Sequence, residues 1–485
     1  MPTEFAIVQL VGGCLLETSV PYVSALRGSA RQQLGPLRNS ARARASLRNA
    51  LYGAGEYVAL PLTMLLAAPF LLHRLGLSQY GLWMLATAAV TSTNLISTGF
   101  GDGALKYASM YRGKNDRKRL EDILGVNLAI NLILGGMLAL LMWVGSPFAV
   151  RSLFKIDLSL QAAAVTAFRI GSAILIVRCV ESVLIAALRA HERYGPSVQI
   201  NVLSRTAIVI TACILVSQGH GIVGIMAGTL CIVAAATVLQ IMAARAVIGQ
   251  ISLVPSISKS AFSEVFGFGC FSWLQAVAGC VFNQADRLLI GVLLGTSSVA
   301  YYSLCVQAAQ PIHGLIAAGL HFLFPHLSTR LSRAPTSDLR ALVLSIFRLN
   351  VVVAVVLCVP LTLFSKVVLR LWMGAAFAQQ TWLVLSIVAA GFGLLALNVT
   401  GHYALLALGQ VRLVALLNLG GGAAMLVAMV LLAPRFGLAG AAIGRLLYGP
   451  ITLLMYCRLR SILSQTSQSL PNPLIQKLRW LQILS

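Results

Sequence analysis

Charge is what this sequence has least of. Of 485 residues, 10% are Asp, Glu, Lys or Arg, against roughly 25% in an ordinary soluble domain. A chain 58% hydrophobic has too little polar surface to meet water, so a soluble enzyme and a disordered tail protein are excluded. Acidic residues are scarcer than basic ones, 13 against 36, for a net charge of +23. The basic residues form short clusters between apolar runs, not one patch. They therefore point to membrane topology and not to nucleic acid. Nine cysteines include no CxxC pair, which excludes a zinc site or a disulfide framework. There is no GxxxxGK[ST], HExxH or GxSxG run, so an ATP motor within this chain and two common hydrolase chemistries are excluded. No connector is long enough to form a domain. A membrane-embedded glycosyltransferase or ligase would need one, so an enzyme is not expected, and neither is a metal or cofactor.

What is present is a series of continuous apolar runs. A helix needs about 20 such residues to cross the hydrocarbon core. Twelve runs meet this, near 50–72, 80–105, 123–147, 161–188, 196–217 and 221–244, then 263–293, 299–327, 341–365, 380–408, 412–433 and 438–458. They do not alternate in polarity, so the fold class is an all-α polytopic membrane protein. With a cytoplasmic N-terminus, twenty-four Lys and Arg fall on the cytoplasmic side and six on the other. This bias predicts that both termini are cytoplasmic. Residues 1–47 read as a basic, poorly ordered extension, residues 248–262 as a linker, and residues 461–485 as a cytoplasmic tail.

The chain also repeats. Leu75-Gly-Leu-Ser-Gln-Tyr80-Gly-Leu-Trp83 and Leu294-Gly-Thr-Ser-Ser-Val-Ala-Tyr301-Tyr302 each lead into the second span of a half. Gly76 and Gly295 are 219 apart. Gly221-Ile-Val-Gly224-Ile-Met-Ala-Gly228 and Gly437-Leu-Ala-Gly440-Ala-Ala-Ile-Gly444 open spans six and twelve at an offset of 216. Two six-helix lobes, 48–247 and 263–460, are therefore expected, related by an axis along the membrane normal.

The chain resembles the multidrug/oligosaccharidyl-lipid/polysaccharide exporter superfamily, and within it the polysaccharide exporters, the Wzx-like flippases. The resemblance rests on Leu75–Trp83 and on Asn283-Gln-Ala-Asp-Arg-Leu-Leu-Ile-Gly291 with Leu293-Leu-Gly295 and Val299-Ala-Tyr301. It also rests on Phe324-Pro-His-Leu-Ser328, Gly409-Gln-Val-Arg412 and Pro434–Gly444. It implies a V-shaped pair of lobes with spans one, two, seven and eight lining a cavity. It further implies flipping of undecaprenyl-diphosphate-linked oligosaccharides across the bacterial inner membrane by alternating access. The implied partners are that lipid-linked sugar, membrane lipids, and a polysaccharide polymerase with its co-polymerase. No cofactor is implied; coupling to protons or sodium is. A multidrug exporter of the same superfamily is the alternative, although Arg residues inside spans favour an anionic substrate.

Charges within a membrane are costly and mark candidate sites. Asp286 and Arg287, preceded by Asn283 and Gln284, form the densest polar group in any span. Arg287 would hold phosphate, and Asp286 would hold a cation, lock Arg287, or form a bridge between lobes. Arg169, Arg348 and His313 are further cavity candidates. His321 lies two helical turns beyond His313. Arg205 and Arg445 are weaker candidates, and Arg178 and Glu181, three apart, neutralise each other. Glu56, five residues before Pro61, reads as a gate or ion-coupling group. So does the Asp102–Lys106 pair, because Gly99, Gly101 and Gly103 loosen the helix there.

Overall fold

The computed structural model describes residues 28–191, 193–249, 254–256, 258–320 and 336–465, with side chains for most of those in 61–320 and 341–462. All regular structure among them is helical. Among the described residues, nine stretches are long and apolar enough to cross a membrane. Their outer faces carry large exposed apolar side chains such as Ile133, Leu140 and Val144, or Val352, Val356 and Leu363. Only a hydrocarbon solvent makes such a surface stable. The protein is therefore a multi-pass membrane protein.

The first half comprises α1 (Gly28–Thr98), α2 (Gly101–Gly113), α3 (Arg117–Phe148), α4 (Gln161–Ala190), α5 (Tyr194–Ser217) and α6 (Ile222–Ile248). The second half comprises α7 (Lys259–Cys280), α8 (Asp286–Leu293), α9 (Thr296–Leu320), α10 (Thr336–Leu363), α11 (Ser365–Met373), α12 (Ala375–Ala407), α13 (Val411–Leu446), α14 (Tyr448–Leu453) and α15 (Met455–Gln465).

Several ends differ from expectation. Helix α1 starts inside the segment expected to be poorly ordered; Arg, Ala, Gln and Leu there are good helix formers. The expected gap between spans one and two is a single break at Gly76, with φ 76°. The second span does not run unbroken to 105. Its helix stops at Thr98 and restarts at Gly101, where the expected glycine-loosened stretch lies. Gly437, with φ 58°, breaks α13 where spans eleven and twelve were separated. Span seven is interrupted by a π turn at Val281–Ala285. The end of span eight, with His321 and the Phe324–Ser328 motif, lies outside the described residues.

One apolar core runs through both halves, from Leu71, Tyr80 and Leu85 through Phe168 and Ile225 to Tyr302, Leu385 and Met429. A second cluster joins Phe100, Ala104 and Leu105 to Ala261 and Val265. The halves approach closely because glycine lies at the contacts. A Cβ on Gly81 would overlap the Thr296 carbonyl oxygen, and one on Gly103 would come within 2.8 Å of the Val265 carbonyl. At one end of this seam Ser78 and Ser297 share a hydrogen bond of 3.1 Å. At the other, Tyr111 donates to the Glu264 carboxylate at 2.9 Å and Arg119 to Ser260 at 2.8 Å.

Candidate functional site

The π turn at Val281–Ala285 adds one residue to a helical turn, which rotates the side chains that follow. Asn283 donates to the Gly279 carbonyl at 2.9 Å within this turn, and Gln284 beside it is half-buried. The rotation turns Asp286 inward, where it is 1% exposed.

Asp286 does not lock Arg287. Its Oδ2 accepts from Arg445 of α13 and from the Tyr302 hydroxyl of α9 at 2.9 Å. Its Oδ1 accepts from the Arg287 backbone amide at 2.8 Å. Both carboxylate oxygens are thus occupied. Arg445 is itself 6% exposed and stacks 4.8 Å over the Phe392 ring. The bridge lies within the second half and does not join the two halves. A buried carboxylate and guanidinium so placed neutralise each other, and loss of either leaves an expensive unpaired charge.

Arg287 is left without that counter-ion. Its guanidinium is half-buried, and its Nε is buried without a hydrogen-bond partner. Within reach of its charge lies the Tyr80 hydroxyl, beside the Gln307 amide. Tyr80 is 0% exposed; its hydroxyl faces the Gln307 side chain without a well-formed hydrogen bond, and the Gln307 Oε1 is unpartnered among the described residues. Gln307 spends its Nε2 on a weak 3.5 Å contact with the Met84 sulfur. A cation, a hydroxyl and an amide oxygen with hydrogen-bonding capacity to spare thus lie near one another where the two halves join. An unsatisfied buried polar group costs about 1–3 kcal/mol, a cost that a polar ligand here would offset. Tyr80 and Gln307 were not singled out from sequence. The available signal was a lone amide in an apolar run.

The remaining candidates are scattered. His313 is half-buried on α9, within electrostatic reach of His402 and Arg445. Arg169 stacks 5.4 Å over Trp143, a half-exposed ring on the outer face. Arg348 is exposed on the same face of α10 as the exposed Val352, Val355 and Val359. That is a lipid-type surface, on which a long basic side chain snorkels. Asp102 occupies the first turn of α2. Lys106 lies 5.3 Å from the Tyr107 ring, and neither is a free charge. Arg178 and Glu181 pair at 2.6 Å, as their spacing implies. Glu56 falls within α1, but its side chain lies outside the described residues.

A family model described as polysaccharide biosynthesis protein matches residues 75–386. A Shigella flexneri protein named "Putative O-antigen transporter" is 25% identical over 187 residues, 38% of this chain and 43% of that one. The uncharacterized membrane protein EpsK of Bacillus subtilis (strain 168) is 22% identical over 319 residues, 64% of this chain and 62% of that one. The matched stretches thus span less than two thirds of either relative. Among solved structures, an inward-facing MATE multidrug transporter of the MOP superfamily superposes with a TM-score of 0.69 at 16% identity. It covers 86% of this chain and all of that one. The lipid II flippase MurJ, in an inward closed conformation, gives 0.64 at 14%, covering 88% and 87%. Identities this low establish a shared fold.

Proposed function

We propose that this chain, which belongs to the polysaccharide biosynthesis protein family, flips undecaprenyl-diphosphate-linked oligosaccharides across the bacterial inner membrane. The observation that carries the reading is the uncompensated Arg287 at the junction of the halves. With Asp286 neutralised by Arg445, the Asp286–Arg287–Arg445 group keeps one net positive charge. A diphosphate supplies the missing anion, and guanidinium is well suited to phosphate oxygens. The Tyr80 hydroxyl adds a donor to phosphate and the Gln307 oxygen an acceptor for a sugar hydroxyl. The lipid tail stays in the bilayer while the headgroup crosses between the halves.

The reading needs two six-helix lobes that rock about the site. Divided at Gly76 and Gly437, the helices are consistent with twelve spans. Gly76 and Gly295, 219 apart, both adopt positive φ. Ser78 and Ser297, at the same offset, touch each other, as equivalent residues beside a two-fold axis would. Gly224 packs on His220 and Gly228 on Leu215; Gly440 packs first on the Leu432 backbone and then on Phe436, and Gly444 on Met429. The His220/Phe436 and Leu215/Met429 members of these contacts stand 216 and 214 apart and support an axis along the membrane normal, although the Leu432 contact has no counterpart at Gly224. The excess of basic residues on one side supports cytoplasmic termini. Coupling to protons or sodium, and work alongside a polymerase and co-polymerase, belong to the same proposal. The multidrug-exporter alternative draws on the MATE likeness in fold, but a cationic drug would be repelled by Arg287.

Deletion of the gene tests the reading. Lipid-linked sugar trapped on the cytoplasmic leaflet, relieved by the wild-type chain and not by Arg287→Ala, is expected. Unchanged sugar with heightened drug sensitivity would select the alternative.

A further inference from the structure

Away from Arg287, a cavity of about 670 Å³ opens on the seam between the halves. Its first wall is the connector from α3 to α4, which brings Arg151, Lys155, Asp157 and Gln161. Its second is the start of α9, with Thr296 and Ser297. The walls are tied together. The Lys155 Nζ donates to the Leu293 carbonyl at 2.7 Å, and its backbone amide donates to the Gly291 carbonyl at 3.2 Å. The lysine keeps two further N–H donors. Arg151 is exposed at the rim. Thr296 is 3% exposed and lines the cavity; among the described residues its hydroxyl has no hydrogen-bond partner. The first amides of α9 have no intrahelical acceptor, and the helix dipole adds partial positive charge there. Asp157 is the one acidic residue of the lining and opposes an anion.

We propose that this cavity binds a phosphate or diphosphate group and that the bound anion bridges the two halves. Arg151 and Lys155 supply charge from one wall. The Thr296 hydroxyl and the α9 amides supply donors from the other. Such a bridge holds this end of the seam closed, so occupancy favours one conformation of the transporter. The inference does not depend on the substrate proposed for Arg287. The same phosphate chemistry can come from a free anion or from a lipid headgroup.

The test uses the full chain in neutral detergent, with thermal unfolding followed against pyrophosphate and against sodium chloride of matched ionic strength. Each variant is also made in an Arg287→Ala background, which separates this site from the central one. A saturable stabilisation that survives Arg287→Ala is expected. Arg151→Ala should weaken it about tenfold, about 1.4 kcal/mol. Thr296→Val should weaken it several-fold, and Asp157→Asn should strengthen it. If the source is a lipid, the stabilisation appears on moving from phosphatidylcholine to phosphatidylglycerol nanodiscs, is lost in Arg151→Ala, and pyrophosphate adds little. No saturable response to either probe would overturn the proposal. So would a response lost in Arg287→Ala but indifferent to Arg151→Ala and Asp157→Asn.

Discussion

Replacing Asp286 by Asn removes the carboxylate that pairs with Arg445 in the second-half core. Asn still accepts from Tyr302, but that bond loses its charged acceptor, about 1 kcal/mol. The larger loss is the charge pairing of the guanidinium, 6% exposed; breaking such a buried pair costs about 3–5 kcal/mol in total. Unfolding entropy of about 2.1 cal/mol/K per residue over 485 residues converts this to a fall in Tm of roughly 3–5 °C. Arg445→Gln should cost a similar amount by stranding Asp286. The double variant Asp286→Asn/Arg445→Gln removes both charges and should lie within about 1–2 kcal/mol of wild type, a coupling of about 4–9 kcal/mol. Thermal unfolding of the four proteins in one detergent measures this cycle. The double variant should also keep sugar export, because Arg287 still supplies the cation. Single variants as stable as wild type, or a double variant with the summed loss of both, would refute the reasoning.

Three further predictions concern the seam. Gly81→Ala should sharply reduce folded protein, because its Cβ overlaps the Thr296 carbonyl, whereas Gly136→Ala, with nothing within 4 Å, should be neutral; size-exclusion yield reads both. A Ser78→Cys/Ser297→Cys pair should cross-link on oxidation and stop turnover reversibly, since the two hydroxyls lie 3.1 Å apart; export with and without reductant checks it. Tyr111, in a stretch outside the membrane-spanning segments, has its phenol pKa raised by the hydrogen bond to Glu264. A raised pKa means that the bond stabilises wherever the phenol is protonated and is lost as pH rises through the folded value. The stability advantage of wild type over Tyr111→Phe should therefore stay constant through neutral pH and vanish only above about 10.

The membrane character was legible because a span is a local property: an apolar run of sufficient length announces itself. So was the loosening near Gly99–Gly103, where the helix breaks between Thr98 and Gly101. The partner of Asp286 was not. Arg445 lies 159 residues away, and nothing local links the two, whereas Arg287 is adjacent in sequence. Adjacency misleads on a helix, where residues i and i+1 face different directions, and the π turn shifts the directions again. Tyr80 stood in plain view within Leu75–Trp83, but its meaning depends on Arg287 and Gln307, brought together only by the packing of the halves. Arg348 shows the opposite failure. Its charge marked it as a candidate, while the Val352, Val355 and Val359 stripe that reveals an outer face follows it at helical spacing.

The account turns on Arg287 as the cation that carries a diphosphate across. Reconstitution into proteoliposomes with a fluorescent polyprenyl-diphosphate oligosaccharide measures this most directly. Wild type should move the lipid between leaflets, Arg287→Lys should do so more slowly, and Arg287→Ala should not exceed empty liposomes. Equal rates for wild type and Arg287→Ala would contradict it.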